Sequence, residues 1–320
     1  MKDVLIQTQD LCVHFPVKKG LFSKKSFVHA VDNVNIEIEK GESLGVVGES
    51  GCGKTTLANA LIGLVTPTSG RVLFKDKEIY EVDKGEYKEL RKDMQMIFQD
   101  PFSSLNPRFT VHDIIAEPYV IRKKLPKEEI TKHVVELLKM VGLSEKDLYR
   151  HPTDFSGGQR QRIVIARAIA LNPEFLICDE PVSALDVSVH SQILNLLMDL
   201  QKELKLTYLF ISHNLAVVNN VCTKVAVMYL GNVVEYGTTK EVFENPMHPY
   251  TKALLSAVAD INDNADGRIV LEGDIPSPID MGDECVFCQR CYERCDEANM
   301  RPPLVKINEC HYVACHKVKA

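Results

Sequence analysis

No stretch of this sequence approaches the roughly 18 to 20 consecutive apolar residues that a membrane-crossing helix needs. Nor is there an excess of basic charge: 38 Lys and Arg stand against 44 Asp and Glu, a net charge of −6. That balance argues against a protein that holds nucleic acid through bulk electrostatics. The opening MKDVLIQTQDL lacks the basic-then-apolar layout of a secretory leader, and no segment repeats. These absences lead to the expectation of a cytoplasmic protein. Hydrophobic residues make up 45% and charged residues 26% of 320 positions, enough for one large or two modest globular domains.

Short strands are expected at residues 3–7 (DVLIQ) and 33–38 (NVNIEI), from alternation and β-branched content. Between them FPVKKGLFSKK reads as a basic surface loop. SLGVV (43–47) is a continuous apolar run, the pattern of a buried parallel strand. A helix follows from Thr55 to Leu64, then a hairpin in RVLFKDKEIY. A mostly helical stretch runs from about Val111 to Arg150, broken at Pro118 and Pro126. Helices at 158–171 and 188–203 alternate with strands at 175–179 and 207–211, and VAVMYLGNVVEYG forms a second hairpin. Strand–helix alternation implies a mainly parallel α/β sheet covered on both faces, and the hairpins imply an antiparallel portion. After about Pro246 the pattern turns proline-rich and loop-like. The expected division is therefore 1–245 and 246–320.

GESGCGKTT (48–56) fits the spacing G-x-x-x-x-G-K-[ST] through Gly48, Gly53, Lys54 and Thr55. Glycines let backbone amides turn inward around phosphate oxygens, and the helix that follows adds partial positive charge at its N-terminus. Ser50, Gly51 and Thr56 complete the loop. Lys54 can reach β- and γ-phosphates, and the Thr55 hydroxyl can ligate magnesium. A glycine turn with an incidental lysine is the plainer alternative, but the strand before and the helix after supply the context the motif needs. FLICDEP (175–181) carries a strand into Asp179, placed to hold magnesium, and Glu180, placed as general base for an attacking water. DFSGGQRQRIVIARAIALNP (154–173) opens a helix on Ser156, Gly157, Gly158 and Gln159. Ser156 reads either as a plain N-cap or as a second set of phosphate donors.

Taken together, these segments resemble the ATP-binding-cassette (ABC) ATPases, with FSGGQ similar to their signature motif and Phe155 where leucine is commoner. The resemblance implies a P-loop NTPase fold with an antiparallel β subdomain, a helical subdomain at about 100–158 and a cysteine-rich C-terminal extension. It implies ATP and Mg2+ as ligands. Gln99, in MIFQDPFSSLNP, falls at the Q-loop glutamine that contacts magnesium. Asp186, in SALD, falls at the D-loop, and His213, in FISHNL, at the γ-phosphate-sensing switch. Phe15 takes the place of the adenine-stacking aromatic, with Phe27 as its rival. The signature residues are expected to act across a head-to-tail pair of subunits.

No coiled-coil insertion, second cassette or fused membrane span accompanies these motifs. What the resemblance then implies is a separate ATPase subunit of an importer, peripheral on the cytoplasmic face of the membrane. FQDPFSSLNPR, DEPVSALDVSVHSQILNLL, NPMHPYTKALLSAV and GDIPSPID are similar to segments of oligopeptide and dipeptide importer ATPases. The implied partners are a second, different ATPase subunit, two permease subunits and an extracellular or periplasmic substrate-binding protein, with no nucleic acid. Nickel, glutathione or another small solute is the alternative cargo, and a soluble regulatory ATPase without a permease the alternative role. DPFSSLNP is the segment expected to receive the permease.

Six of ten cysteines lie in the last 36 residues. CVFCQRCYERC has the spacing C-x2-C-x2-C-x3-C found in iron–sulfur ligation; zinc held with His311 or His316 and disulfides are the alternatives. The family resemblance implies a [4Fe-4S] cluster on Cys285, Cys291, Cys295 and Cys315, with Cys288 as a rival ligand and Cys310 as an extra. Cys52, inside the phosphate loop, is expected to be open to modification, and Cys178 to be a small core residue.

Overall fold

The structure, a computed structural model, describes residues 3–17, 25–122, 125–259 and 268–318. The basic stretch 18–24 of the expected surface loop lies outside them. The chain forms two compact units, residues 1–82 with 210–320, and residues 83–209.

In the first unit, β1 (Val4–Val17) pairs antiparallel with β2 (Ser26–Val34). β1 runs ten residues beyond the expected end at Gln7, because its alternation continues through LCVHFPV with Leu11 and Val13 buried. The expected strand 33–38 is divided. Asn33 takes a left-handed backbone (φ 53°), so Val34 ends β2 and β3 is only Glu37–Glu39. β4 (Ser43–Val47) is buried at every position, as a strand covered on both faces should be. Then come α1 (Lys54–Leu61), β5 (Ser69–Phe74) and β6 (Lys77–Glu78). Lys75 and Asp76, both at positive φ, make the tight two-residue hairpin turn. One sheet runs β2-β1-β5-β6, with β3 also on β1.

The second unit opens on α2 (Lys84–Asp93), where the Asp83 side chain accepts from the Gly85 and Glu86 amides. β7 (Met94–Ile97) follows, then α3 (Pro101–Ser104), α4 (Val111–Arg122) and α5 (Lys127–Met140). α2 buries Leu90 alone, so it has no apolar stripe to read in the sequence. Pro118 lies inside α4 and does not end it; burial of Ile114, Ile115, Ala116 and Tyr119 offsets the amide hydrogen bond that proline cannot make. α6 (Gly157–Ile169), β8 (Phe175–Asp179), α7 (Val187–Leu204) and β9 (Thr207–Ile211) complete this stretch of chain. β7 and β8 are parallel, with Ile97 opposite Cys178.

Back in the first unit are α8 (Leu215–Val221), β10 (Lys224–Tyr229), β11 (Asn232–Thr238), α9 (Thr239–Glu244) and α10 (Pro249–Ala259). β10 pairs in parallel with β4 and antiparallel with β11. The tail is not all loop: β12 (Val305–Asn308) and β13 (His311–Val313) form a hairpin that adds to β11, with Glu235 opposite Val313. Buried Glu235 accepts from His311 Nε2 at 2.7 Å and from the Met247 and His248 amides. A buried carboxylate needs such donors, and the sequence gives no sign of which ones it finds.

Candidate functional site

Gly48, Gly51 and Gly53 all adopt positive φ. At two of them a side chain cannot fit: a Cβ on Gly53 would lie 2.0 Å from the Ala30 carbonyl oxygen, and one on Gly48 2.2 Å from that of Met228. Lys54, the first residue of α1, is buried and donates from Nζ to the Gly48 and Glu49 carbonyls at 2.8 and 3.0 Å. No side chain caps α1, so its first-turn amides keep their N-terminal polarity for an anion. Ser50, Gly51 and Thr55 are exposed around this loop and Thr56 half-buried. Cys52 is not open to modification as expected: it is 4% exposed, and burial pushes its thiol pKa up, leaving a protonated and shielded sulfur.

Sequence reasoning missed the partner of Glu49. Arg290 grips this carboxylate with both terminal nitrogens, at 2.7 and 3.2 Å, while the Glu49 amide donates to the Tyr250 hydroxyl at 2.8 Å. A carboxylate inside an anion-binding loop calls for a compensating cation, and that is the signal that could have flagged it. His213 follows β9 and is exposed. The neighbouring Ser212 amide donates to Val46 on β4 at 3.2 Å, and Asn214 caps α8. Phe15 and Phe27 are both exposed on the β1–β2 hairpin. Phe15 pairs with Val28 and Phe27 with Pro16, so the two rings lie on opposite faces of the strand pair.

In the second unit the strand register brings two predicted residues together. Ile97 and Cys178 are paired, so Gln99 and Glu180 each stand two residues past the same rung. Gln99 Nε2 donates to Glu180 Oε2 at 2.9 Å. Glu180 has φ 46°, a left-handed conformation that is costly for a residue with a side chain. Asp179, at the end of β8, is 3% exposed. Ser156 is the N-cap of α6: its hydroxyl accepts from the Gln159 amide, and Gln159 Oε1 accepts from the Ser156 amide. Gly158 has a packing role, since a Cβ there would meet Val189 Cγ1 at 2.5 Å; Gly157 is half-buried beside Leu185. Asp186 is exposed at the start of α7. Phe98, Phe102 and Phe109, around the DPFSSLNP segment, are exposed as well.

Two family models match the chain: one described as ABC transporter over residues 31–183, and one described as oligopeptide/dipeptide transporter, C-terminal region, over 234–297. The oligopeptide transport ATP-binding protein OppF of Salmonella typhimurium is 47% identical, covering 99% of this chain and 97% of its own. The chain belongs to the ABC transporter family. The dipeptide transport ATP-binding protein DppF of Escherichia coli is 46% identical over 99% of this chain and 96% of its own. The dimeric ABC cassette MJ0796, solved in a post-hydrolysis state with ADP and Pi, superposes with a TM-score of 0.65 at 28% identity, covering 73% of this chain and 99% of that one. Among the described residues of this ABC protein no helix is long and apolar enough to cross a membrane.

The iron–sulfur expectation is corrected here. Cys285, Cys288, Cys291, Cys295 and Cys315 line one small cavity. Yet among the described residues no three of the tail thiols bring their sulfurs within 4.8 Å of one another. Burial pushes Cys285 up to about 11 and raises Cys288, Cys291 and Cys315. The relatives are named as peptide-transport ATP-binding proteins and nothing more. For the zinc alternative, among the described residues neither His311 nor His316 belongs to a group of three donors within 4.8 Å of one another; His311 Nε2 lies 2.7 Å from Glu235 and His316 Nε2 2.8 Å from the Met300 carbonyl. Cys310 is exposed, and its backbone carbonyl accepts from the Thr238 amide. Cys178 is fully buried on β8, a core residue as expected.

Proposed function

We propose that this protein is the ATP-hydrolysing subunit of an importer that carries oligopeptides or dipeptides through a membrane permease. Full-length likeness to peptide-transport ATP-binding proteins supports the cargo class. The observation that carries the hydrolytic role is the Gln99–Glu180 contact at 2.9 Å. It holds a carboxylate on a conformationally constrained residue, with an amide beside it that can orient water.

The amides of residues 48–56 cradle the β- and γ-phosphates, with Ser50, Gly51 and Thr56 at the rim, and Lys54 exchanges its carbonyl partners for phosphate oxygens. Phe15 stacks on adenine. Thr55, Asp179 and Gln99 offer a hydroxyl, a buried carboxylate and an amide oxygen, the hard oxygen set that suits Mg2+. A magnesium ion held by these residues would supply neutralisation of phosphate charge. Glu180 takes the proton of the attacking water, Gln99 orients that water, and His213 reads the γ-phosphate. In a head-to-tail pair, Ser156, Gly157, Gly158 and Gln159 face the nucleotide held by the partner, and Asp186 touches the partner. We further infer that the second ATPase subunit is a different chain and that an external binding protein delivers the cargo. The exposed rings of Phe98, Phe102 and Phe109 support a peripheral docking of permease on the 98–109 segment.

Reconstitution into vesicles with both permease subunits, the second ATPase and the binding protein tests the reading. ATP-dependent uptake of labelled peptide, with an ATPase rate stimulated by the permease, is expected. An ATPase rate indifferent to the permease, without uptake, would overturn it in favour of a soluble regulatory ATPase. Uptake of nickel or glutathione in place of peptide would overturn the cargo.

A further inference from the structure

The β1–β2 hairpin that presents Phe15 also holds a cluster that none of the ATPase motifs accounts for. Cys12 and His14 on β1 and Asp32 on β2 each bring one donor atom within 4.8 Å of the others. Asp32 Oδ1 lies 3.7 Å from Cys12 Sγ and 3.6 Å from His14 Nε2. In a tetrahedral site with metal–ligand bonds of about 2.0 to 2.3 Å, donor atoms are separated by about 3.3 to 3.6 Å. The two separations to Asp32 Oδ1 therefore exceed that spacing by at most a few tenths of an ångström, and the third, between Cys12 and His14, is under 4.8 Å.

The surroundings are those of a prepared site. The Asn33 amide donates to Cys12 Sγ at 3.2 Å and so fixes the sulfur on the hairpin. Asp32 divides its two oxygens: Oδ2 accepts from Arg301 at 2.6 Å and faces His29 Nδ1 at 3.3 Å, while Oδ1 turns toward Cys12 and His14. Arg301 and His29 thus fix the carboxylate from behind, as outer partners of metal ligands do. His14 Nε2 is buried without a hydrogen bond, and its ring stacks on that of His29 at 4.0 Å. A purely structural network explains Arg301 on Oδ2. It also explains Cys12, whose thiol is within donating distance of Oδ1 and of the Asp10 carbonyl, but not His14 Nε2, buried 3.6 Å from the same oxygen without a hydrogen bond.

We propose that Cys12, His14 and Asp32 form a three-ligand site for a divalent transition cation of the zinc class, with the fourth position open to solvent. One thiolate, one imidazole and one carboxylate suit a borderline cation and disfavour Mg2+ and Ca2+, which take oxygen ligands. The cation clasps β1 to β2 beside Phe15 and, through Asp32 and Arg301, to the C-terminal tail. The site stands independently of the transport reading.

The test uses the full-length protein, stripped with a chelator and titrated with Co2+ under reducing conditions, followed by competition with Zn2+. Tetrahedral d–d absorption and a sulfur-to-cobalt charge-transfer band are expected at one cation per chain. Cys12→Ser should abolish the charge-transfer band, His14→Ala should weaken binding at least tenfold, and Cys315→Ser, which alters only the tail thiols, should leave both signals intact. Circular dichroism checks that each variant is folded; if Cys12→Ser is not, His14→Ala decides alone. A band that survives the hairpin variants, is lost with Cys315→Ser, or never forms in folded wild type overturns the proposal.

Discussion

Glu180 is held at φ 46° with its carboxylate against Gln99, a left-handed conformation that is costly for a residue with a side chain. Replacing the carboxylate by an amide of the same shape removes the base and keeps the packing. Glu180→Gln is therefore expected to lower kcat by about 10²-fold or more. Nucleotide binding should be kept, because the glycines and Lys54 of the phosphate loop are untouched. Single-turnover ATPase assays beside a nucleotide-binding titration check this, and near-normal turnover would remove Glu180 from the base role. At this scale the sequence was most informative. The turn glycines Gly48, Gly51 and Gly53 were legible from spacing, because the motif is local and its backbone demands are written in neighbouring residues, whereas Gln99 came only from the family resemblance. Cys52 was misread for the opposite reason: exposure depends on what packs against a residue, and its neighbours in space are remote in sequence.

Among the elements, the tail behaves as a brace on the phosphate loop. Arg290 is nearly buried and meets Glu49 with two parallel bonds, and such forked pairs are strong and geometrically specific. Arg290→Ala would leave the Glu49 carboxylate uncompensated next to incoming phosphates. Its expected effect is a roughly tenfold rise in KM for ATP with a smaller change in kcat. Arg290→Lys should restore only part of this, since an ammonium cannot reproduce the fork. Steady-state kinetics on the reconstituted complex would settle it, with an unchanged KM detaching the tail from nucleotide binding. Elements differed in legibility. β4 and β8 were read at their observed bounds because continuous apolar runs mark strands buried on both faces. α2 was missed because it is polar on nearly every side. The β12–β13 hairpin was missed because its stability comes from pairing with β11, about 70 residues upstream.

For the molecule as a whole, acid stability should be governed in part by the buried group around Glu235. His248 is 2% exposed. Burial holds its pKa down to about 4, against an ordinary 6.5, and its Nδ1 accepts from the Tyr250 amide at 3.1 Å. The folded protein thus takes up this proton less readily than the unfolded chain. The contribution is complete above pH 6.5 and is lost as pH falls from there toward 4, by an amount on the order of 3 kcal/mol. Urea unfolding at a series of pH values should show that slope, and His248→Gln should flatten it; an equally steep slope in the variant would assign the loss to other groups.

The sequence alone determined the motifs that point to the chemistry: a glycine-rich loop running into a helix, a strand ending in two carboxylates, and a helix opened by Ser-Gly-Gly, each contiguous and local in its backbone demands. It also placed those motifs on the right strands and helices wherever hydrophobic periodicity was strong. Only the tertiary structure decided that, among the described residues, no three tail thiols come within 4.8 Å of one another, that Arg290 reaches Glu49 across 241 positions, and that Cys12, His14 and Asp32 meet on one hairpin. Those contacts are set by strand register and long-range packing. A shift of one residue in either strand would turn the same side chains to opposite faces, and nothing local in the sequence records which register wins.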